Sequence, residues 1–300
     1  MKILIIGSKG FIGKHTFDYF NKEHEVTGAD IVPPSKEDNH YHYISKNFPQ
    51  FDQLFEGRQY DICFNASGNG SVPVSLKKPV YDFELNVVNT LKILDAIRIH
   101  NPLCKFINLS SAAVYGNPSE LPVHEEMPLK PLSPYGWHKL YAEQVCREYY
   151  HLYNIGSVNL RLFSVYGEML KKQLFWDIYQ KSIHSTQIEL FGSGNETRDF
   201  IYIDDLINAI DLIIKNATFT GESINIASGI ETKIREAAEI FCSLISDHCI
   251  AKFNNIVKHG DPLRWKADIT IVKNFGFSPR FSIEEGLKNT TKWLKEYIHH

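Results

Sequence analysis

The feature that most restricts this chain lies within its first thirteen residues. Lys2–Ile6 is a short, nearly unbroken run of β-branched and apolar residues, and Gly7-Ser8-Lys9-Gly10-Phe11-Ile12-Gly13 follows at once. A strand without polar alternation is one covered on both faces, as in a parallel sheet. Glycines at its end let the backbone turn tightly and let the next helix pack close by. At such a helix N-terminus, free N–H groups and the positive end of the helix dipole suit an anion, and missing side chains let a pyrophosphate approach. The spacing is G-x-x-G-x-x-G, which shifts the turn by one residue from G-x-G-x-x-G. A dinucleotide is therefore expected against Gly7, Gly10, Phe11, Ile12 and Gly13.

The pattern continues through the first half of the chain. Further strands are expected at Glu25–Asp30, within Tyr41–Ser45, at Asp61–Ala66, Cys104–Leu109 and Ser157–Phe163, with helical periodicity over Tyr81–His100 and Tyr135–Tyr153. This alternation predicts an α/β fold with a doubly wound parallel sheet. Beyond Phe163 the pattern loosens. Helices are expected near Gln173–Ser185, Asp204–Lys215 (with Asp204 as N-cap), Thr232–Ser246 and Ser282–Tyr297, with extended segments at Ile188–Phe191, Asp199–Ile203 and Ser223–Ile226. Ser282 and Glu285 fit a capping box. The expected division is a first domain over 1–165, joined again by 199–227, and a smaller α/β domain over 166–198 and 228–300.

Composition narrows the partners. Lys and Arg total 32 against 35 Asp and Glu, a net charge of −3 that argues against nucleic-acid and anionic-membrane partners. No run approaches the roughly 18–20 apolar residues of a membrane span, and the amino terminus does not read as a secretory signal. Cys63, Cys104, Cys146, Cys242 and Cys249 are scattered without a C-x-x-C pair. They read as reduced residues of a cytoplasmic protein, with no metal site expected.

Three further signals carry chemistry. Asp30 closes the second strand, where a carboxylate accepts hydrogen bonds from an adenosine ribose and repels a 2′-phosphate, favouring NAD over NADP. Tyr135 and Lys139 stand at i and i+4 in Tyr135-Gly136-Trp137-His138-Lys139, on one face of a helix. A neighbouring ammonium and an oxidised nicotinamide ring favour the phenolate, so Tyr135 is expected to act as a base. Ser110 or Ser111, in Leu109-Ser110-Ser111-Ala112-Ala113-Val114-Tyr115-Gly116, follows the Cys104–Leu109 strand at the sheet's carboxyl edge, where a serine hydroxyl can reach a substrate oxygen.

Together, GSKGFIG, SSAAVYG and YGWHK resemble the extended short-chain dehydrogenase/reductase family of nucleotide-sugar epimerases, dehydratases and 4-keto reductases. The resemblance covers nearly the whole chain and is closest to UDP-glucose 4-epimerase-like members. It implies a Rossmann-like NAD-binding domain with a smaller substrate-binding domain, and Ser111, Tyr135 and Lys139 as the catalytic triad. It also implies that Ala66-Ser67-Gly68 lines the pyrophosphate and that Asn86, in an N-V-x-x-T match, lies near the nicotinamide half. Arg198, in the segment Gly192–Phe200, would grip the nucleotide diphosphate, and Asp261 of Gly260-Asp261 would meet the nucleotide ribose. Lys258 and Arg264 would assist at the diphosphate.

Departures from the family pattern discriminate among its reactions. Dehydratases resemble T-D-E or T-S-E before V-Y-G; here Ser111-Ala112-Ala113 offers no proton-transferring pair, which disfavours water elimination. Ser164 follows Arg161-Leu162-Phe163 where many members have Asn, Lys258 replaces an Arg, and Ser45 replaces an Asp that contacts adenine. The resulting expectation is an NAD-dependent 4-epimerase of a nucleotide-diphosphate sugar, working through a transient 4-keto sugar. A 4-keto-sugar reductase or C4 dehydrogenase with the same triad, and a non-catalytic dinucleotide sensor, are the alternatives. In this family the helices equivalent to Tyr81–His100 and Tyr135–Tyr153 pair across a two-fold axis, so a homodimer is expected.

Overall fold

Twelve strands occur among the described residues of the computed structural model, which are 1–34, 39–256 and 262–298. Lys258, Gly260-Asp261 and the terminal His299-His300 lie outside them. In chain order the strands are β1 Lys2–Ile6, β2 Glu25–Asp30, β3 Tyr41–Tyr43, β4 Ile62–Asn65, β5 Lys105–Ser111 and β6 Ser157–Leu162. They continue as β7 Ser164–Tyr166, β8 Gln187–Leu190, β9 Thr197–Tyr202, β10 Thr220–Ile226, β11 Glu231–Lys233 and β12 Ile250–Phe253.

One compact unit comprises Met1–Gly116, Leu129–Leu162 and Ile213–Ile224. Its seven-stranded sheet has the order β10-β6-β5-β4-β1-β2-β3. The pairs β1–β2, β1–β4, β4–β5, β5–β6 and β2–β3 are parallel, the Rossmann-like arrangement. The chain leaves β1 in one direction to β2 and in the other, later, to β4, so the strand order reverses between β1 and β4. Loops leaving the carboxyl ends there diverge and open a crevice. The register sets Ile6 level with Ala29 and Asn65, and Asn65 level with Asn108. The turns after β1 and β4 therefore start at one height.

Burial explains the apolar runs. All of β4 and β6 is buried, as is β1 after Lys2. Leu4, Ile6, Cys63 and Phe106 share a core with Ile93, Leu94 and Ile97 of the helix Asn89–His100. Each such aliphatic or aromatic side chain contributes roughly 1.5–3 kcal/mol on burial.

The continuous helix expected over Tyr81–His100 is instead a helix Pro79–Phe83, a π-helical turn Glu84–Val88 and the helix Asn89–His100. A π turn inserts a residue without disturbing the apolar spacing on either side, which is why periodicity does not register it.

The other unit comprises Asn117–Pro128, Phe163–Leu212 and Asn225–His300. It holds a three-stranded sheet, β11-β9-β7, a two-stranded sheet, β12-β8, and the helices Gln173–Ser182, Ile234–Ile245 and Ile283–Ile298. Residues 117–128 and 199–212, expected with the first domain, cluster here instead. Val123 bridges to Ala267, and β9 pairs with β7 and β11.

Two helix boundaries also differ. The helix Ile203–Asn216 starts before Asp204, so Asp204 lies in its first turn and is not its cap. Residues 231–233 form β11 rather than the start of a helix, because they pair with Thr197–Asp199. The capping box is formed: Ser282 N–H donates to Glu285 Oε2 at 2.9 Å and Glu285 N–H donates to Ser282 Oγ at 3.2 Å.

Candidate active site

The glycine loop closes tightly on itself. Gly7 has a φ of +84°, and a Cβ there would meet the Ala66 carbonyl carbon and the Ser67 nitrogen at 2.7 Å. A Cβ on Gly13 would sit 2.0 Å from the Gly7 carbonyl oxygen. Gly7 thus brings the turn after β1 against the turn after β4, and Gly13 brings the helix Phe11–Phe20 onto the loop. Gly10 is the N-cap of that helix and supplies no capping side chain. Phe11 and Ile12 form its first turn, with Phe11 edge-on to His15 and the Ile12 carbonyl accepting from Thr16 Oγ1.

Asp30 ends β2 beside this loop. Its Oδ2 accepts Lys9 N–H at 2.8 Å and its Oδ1 accepts Val32 N–H at 3.2 Å. Its carboxylate is thus fixed by backbone amides at the loop's rim. After β4, Ala66 N–H donates to the Ile6 carbonyl and Ser67 Oγ donates to Asn65 Oδ1 at 2.5 Å. Gly68 has a φ of +105°, and a Cβ on it would lie 2.6 Å from Asn86 Oδ1.

Asn86 sits in the middle of the π turn, 3% exposed. Its Nδ2 donates to Asp82 Oδ1 at 3.1 Å, while its Oδ1 is buried without a hydrogen-bond partner. An acceptor left in that condition costs about 1–3 kcal/mol, so a ligand donor fits there.

The helix Pro134–Tyr153 carries the pair at i and i+4. Ser133 caps it by accepting Gly136 N–H at 3.2 Å, Pro134 occupies its first turn, and Asn154 ends it in the left-handed conformation. Gly136 lets this helix approach β5's end, since a Cβ there would be 2.6 Å from the Ala113 carbonyl oxygen. That contact brings Tyr135 to Ser111: the Ser111 hydroxyl hydrogen-bonds the phenol and also accepts Ala113 N–H at 3.2 Å. Lys139 is buried, its Nζ 5.8 Å from the Tyr135 ring centre and donating to the Leu109 carbonyl at 2.8 Å.

The expectation for the phenol rests on the ammonium together with an oxidised nicotinamide ring; the protein's own groups act in the other direction. Burial raises Tyr135 above its ordinary pKa of 10.0, the Ser111 hydrogen bond opposes the rise, and the negative charge of Asp82 adds to it. The protein's own groups therefore keep the phenol protonated at neutral pH.

Sequence reasoning gave no role to Asp82 or His138. Asp82 is fully buried, and its Oδ2 is 2.5 Å from His138 Nδ1. Its Oδ1 also accepts from Asn69 Nδ2. The i, i+4 spacing of Asp82 and Asn86 was a usable signal; the pairing with His138, on another helix, was not. A second buried network lies beneath Ser111. Glu143 accepts from Arg161 at 3.0 and 2.8 Å, from Ser110 at 2.5 Å and from Ser223 at 3.1 Å.

The remaining expected residues belong to the second unit. Arg198 Nη1 donates to the Thr197 and Pro262 carbonyls, both at 2.8 Å, and its guanidinium lies 5.4 Å from the Trp265 ring centre. Asp199 beside it accepts instead from Ser228, Gly229 and Ala267; burial raises its carboxyl to about 6 against those hydrogen bonds. Arg264 forms a two-pronged ion pair with Glu231 at 2.8 and 2.9 Å, so its charge is already answered within the protein.

Known proteins share this fold. UDP-glucuronic acid 4-epimerase from Bacillus cereus, solved with UDP-glucuronic acid and NAD, has 27% identity and a TM-score of 0.88 over 99% of this chain and 100% of its own. UDP-N-acetylglucosamine 4-epimerase from Methanobrevibacter ruminantium has 25% identity and a TM-score of 0.87 over 99% and 98%. The UDP-glucuronate 4-epimerase of Thermodesulfobacterium geofontis is 29% identical over 98% of this chain and 96% of its own. Residues 3–227 match the model of the NAD dependent epimerase/dehydratase family. The chain belongs to that family.

Proposed function

We propose that the protein is an NAD-dependent 4-epimerase of a nucleotide-diphosphate sugar, with UDP-hexoses and UDP-hexuronates as the substrate class to test first. One observation carries the reading: a phenol bonded to Ser111, with a buried ammonium 5.8 Å from its ring, stands at the carboxyl edge of β5. The neighbouring crevice supplies a glycine-lined anion cradle, the Asp30 carboxylate and the orphaned Asn86 oxygen, which fit NAD. Ala112 and Ala113 hold no acid or base, which supports epimerisation over water elimination.

Bound NAD would accept hydride from sugar C4 and return it, its positive ring also drawing Tyr135 toward the phenolate. Tyr135 takes the proton from the C4 hydroxyl as the 4-keto sugar forms, and returns it when the opposite face has been presented. Ser111 hydrogen-bonds that oxygen and holds the phenol in line. Lys139, anchored on the Leu109 carbonyl, bonds the nicotinamide ribose and keeps its charge beside Tyr135. Asp30 accepts from the adenosine ribose. Arg198 is assigned to the diphosphate, with Lys258 and Asp261, outside the described residues, as further nucleotide contacts and Arg264 joining them only on release from Glu231, so that binding energy remote from C4 retains the sugar while it turns. On this reading the seven-stranded unit is the NAD-binding domain and the other unit the substrate-binding domain.

Two further assignments accompany this. Phe83, Leu91, Ile99, Trp137, Tyr141 and Leu152 are 38–66% exposed on the helices Pro79–Phe83, Asn89–His100 and Pro134–Tyr153. That much exposed aromatic and aliphatic surface on neighbouring helices supports a homodimer through them, measurable by light scattering at micromolar concentration. Nucleotide ligands and five free cysteines support a cytoplasmic location.

Mass spectrometry of small molecules released from the denatured protein is expected to find NAD. Incubation with a panel of UDP-sugars is expected to yield C4 epimers. A protein that neither retains nor binds NAD, and leaves every sugar of the panel unchanged, would overturn the proposal.

A further inference from the structure

We propose that Asp82 and His138 are positioning residues of this site, a buried pair that fixes the Asn86 amide with its oxygen turned toward the cofactor crevice. The inference rests on the NAD reading above. A carboxylate only accepts hydrogen bonds. Asp82 Oδ1 therefore requires a donor from Asn86, and takes Nδ2 at 3.1 Å. The other end of the amide, Oδ1, is left pointing at the Gly68 turn, where only the absence of a side chain makes room for it. An asparagine with no such neighbour would be free to turn its amide over and present N–H groups instead.

The carboxylate is itself held at three points. Nδ1 of His138 meets Oδ2, and Asn69 Nδ2 joins Asn86 on Oδ1. Asn69 is fixed in turn by donating to the Ser71 carbonyl at 2.9 Å and accepting Ser71 N–H at 3.1 Å. The imidazole is confined by Phe83, edge-on at 5.3 Å between ring centres, and by Tyr141. Asp82 is fully buried and His138 nearly so; a buried carboxylate without a hydrogen-bonded partner is strongly unfavourable. The pair thereby ties three segments together: the loop after β4, the π turn bearing Asn86, and the helix bearing Tyr135 and Lys139. His138 lies between those two residues in sequence, so the helix that supplies the base also locks the amide.

The test is a cycle of Asp82→Asn and Asn86→Ala in the full-length protein loaded with NAD, following the rate at which NAD is lost on dilution. Asp82→Asn keeps the shape but can donate as well as accept, so Asn86 no longer has one preferred orientation. It is expected to speed NAD loss about tenfold in the wild-type background and less than about twofold in the Asn86→Ala background. His138→Gln, which retains a donor for Asp82, is expected to stay within about twofold of wild type, while His138→Phe behaves like Asp82→Asn. The histidine variants carry the test if Asp82→Asn does not fold. Equal effects of Asp82→Asn in both backgrounds, or none in either, would overturn the positioning role while leaving the NAD reading intact. NAD loss that is unaltered in Asn86→Ala would overturn both the role and the placement of Asn86 at the cofactor.

Discussion

Glu143→Gln probes the buried network next to Ser111, the serine proposed to act in catalysis. Arg161 is 1% exposed and Glu143 is fully buried. The two carboxylate oxygens accept two Arg161 N–H groups and the hydroxyls of Ser110 and Ser223. Burial alone pulls the guanidinium's pKa down, and Glu143 together with Tyr115 reverses that. Glutamine preserves the outline but removes the charge, and whichever way its amide turns, one N–H group faces an Arg161 N–H. The serine hydroxyls can rotate; the guanidinium cannot. It keeps the Tyr115 hydroxyl at 2.8 Å and the Tyr115 ring, 4.9 Å from its centre, but one of its N–H groups loses its acceptor on residue 143.

Breaking one partner of a buried pair costs about 3–5 kcal/mol. With an unfolding entropy of about 2.1 cal/mol/K per residue, a 300-residue chain melting in one transition loses about 5–8 °C in Tm. Circular dichroism melts and urea titrations of wild type and variant measure this. A second variant, Glu143→Met with Arg161→Met, removes both charges and is expected to recover most of the loss, since apolar replacement of a buried pair is often neutral. A single-variant loss below about 1 kcal/mol, or a double variant worse than the single, would refute the reasoning.

Gly13→Ala places a methyl 2.0 Å from the Gly7 carbonyl; it is expected to destabilise by roughly 1–3 kcal/mol and to abolish NAD retention, both measurable on one purified sample. Ser111→Ala removes the hydrogen bond that lowers Tyr135. The phenol then rises further, so the acidic limb of the pH–rate profile is expected to move to higher pH and kcat to fall about a hundredfold. Asp82 raises the same phenol, so Asp82→Asn is expected to move that limb to lower pH; a shift of either limb in the opposite direction would count against Tyr135 as the base.

The elements read most accurately from sequence are those whose cause is local. Lys2–Ile6 and Glu25–Asp30 match β1 and β2 residue for residue; in β1 burial on both faces leaves a nearly continuous apolar run, and the Ser282–Glu285 capping box needs only a three-residue spacing. Contacts set by tertiary packing were not legible. Glu143 and Arg161 are 18 residues apart and look like ordinary surface charges until β6 and the helix Pro134–Tyr153 bury them together. Asp82 and His138 are 56 residues apart, and no sequence pattern joins the two. The π turn bearing Asn86 leaves no mark in the periodicity of the segments on either side of it. Tyr135 and Lys139 were legible as an i, i+4 pair, but the sign of the shift on the phenol was not, because it comes from burial and from Asp82 rather than from the lysine.

The most direct test follows the hydrogen at C4. A UDP-sugar from the reactive panel, labelled with deuterium at C4, is converted in ordinary water and the product analysed by NMR. Hydride held within the site and returned to the same carbon leaves the C4 epimer with its deuterium, and Tyr135→Phe retains NAD but forms the epimer at least about a hundredfold more slowly. Loss of the label to solvent, or a Tyr135→Phe variant as fast as wild type, would contradict hydride transfer assisted by this phenol.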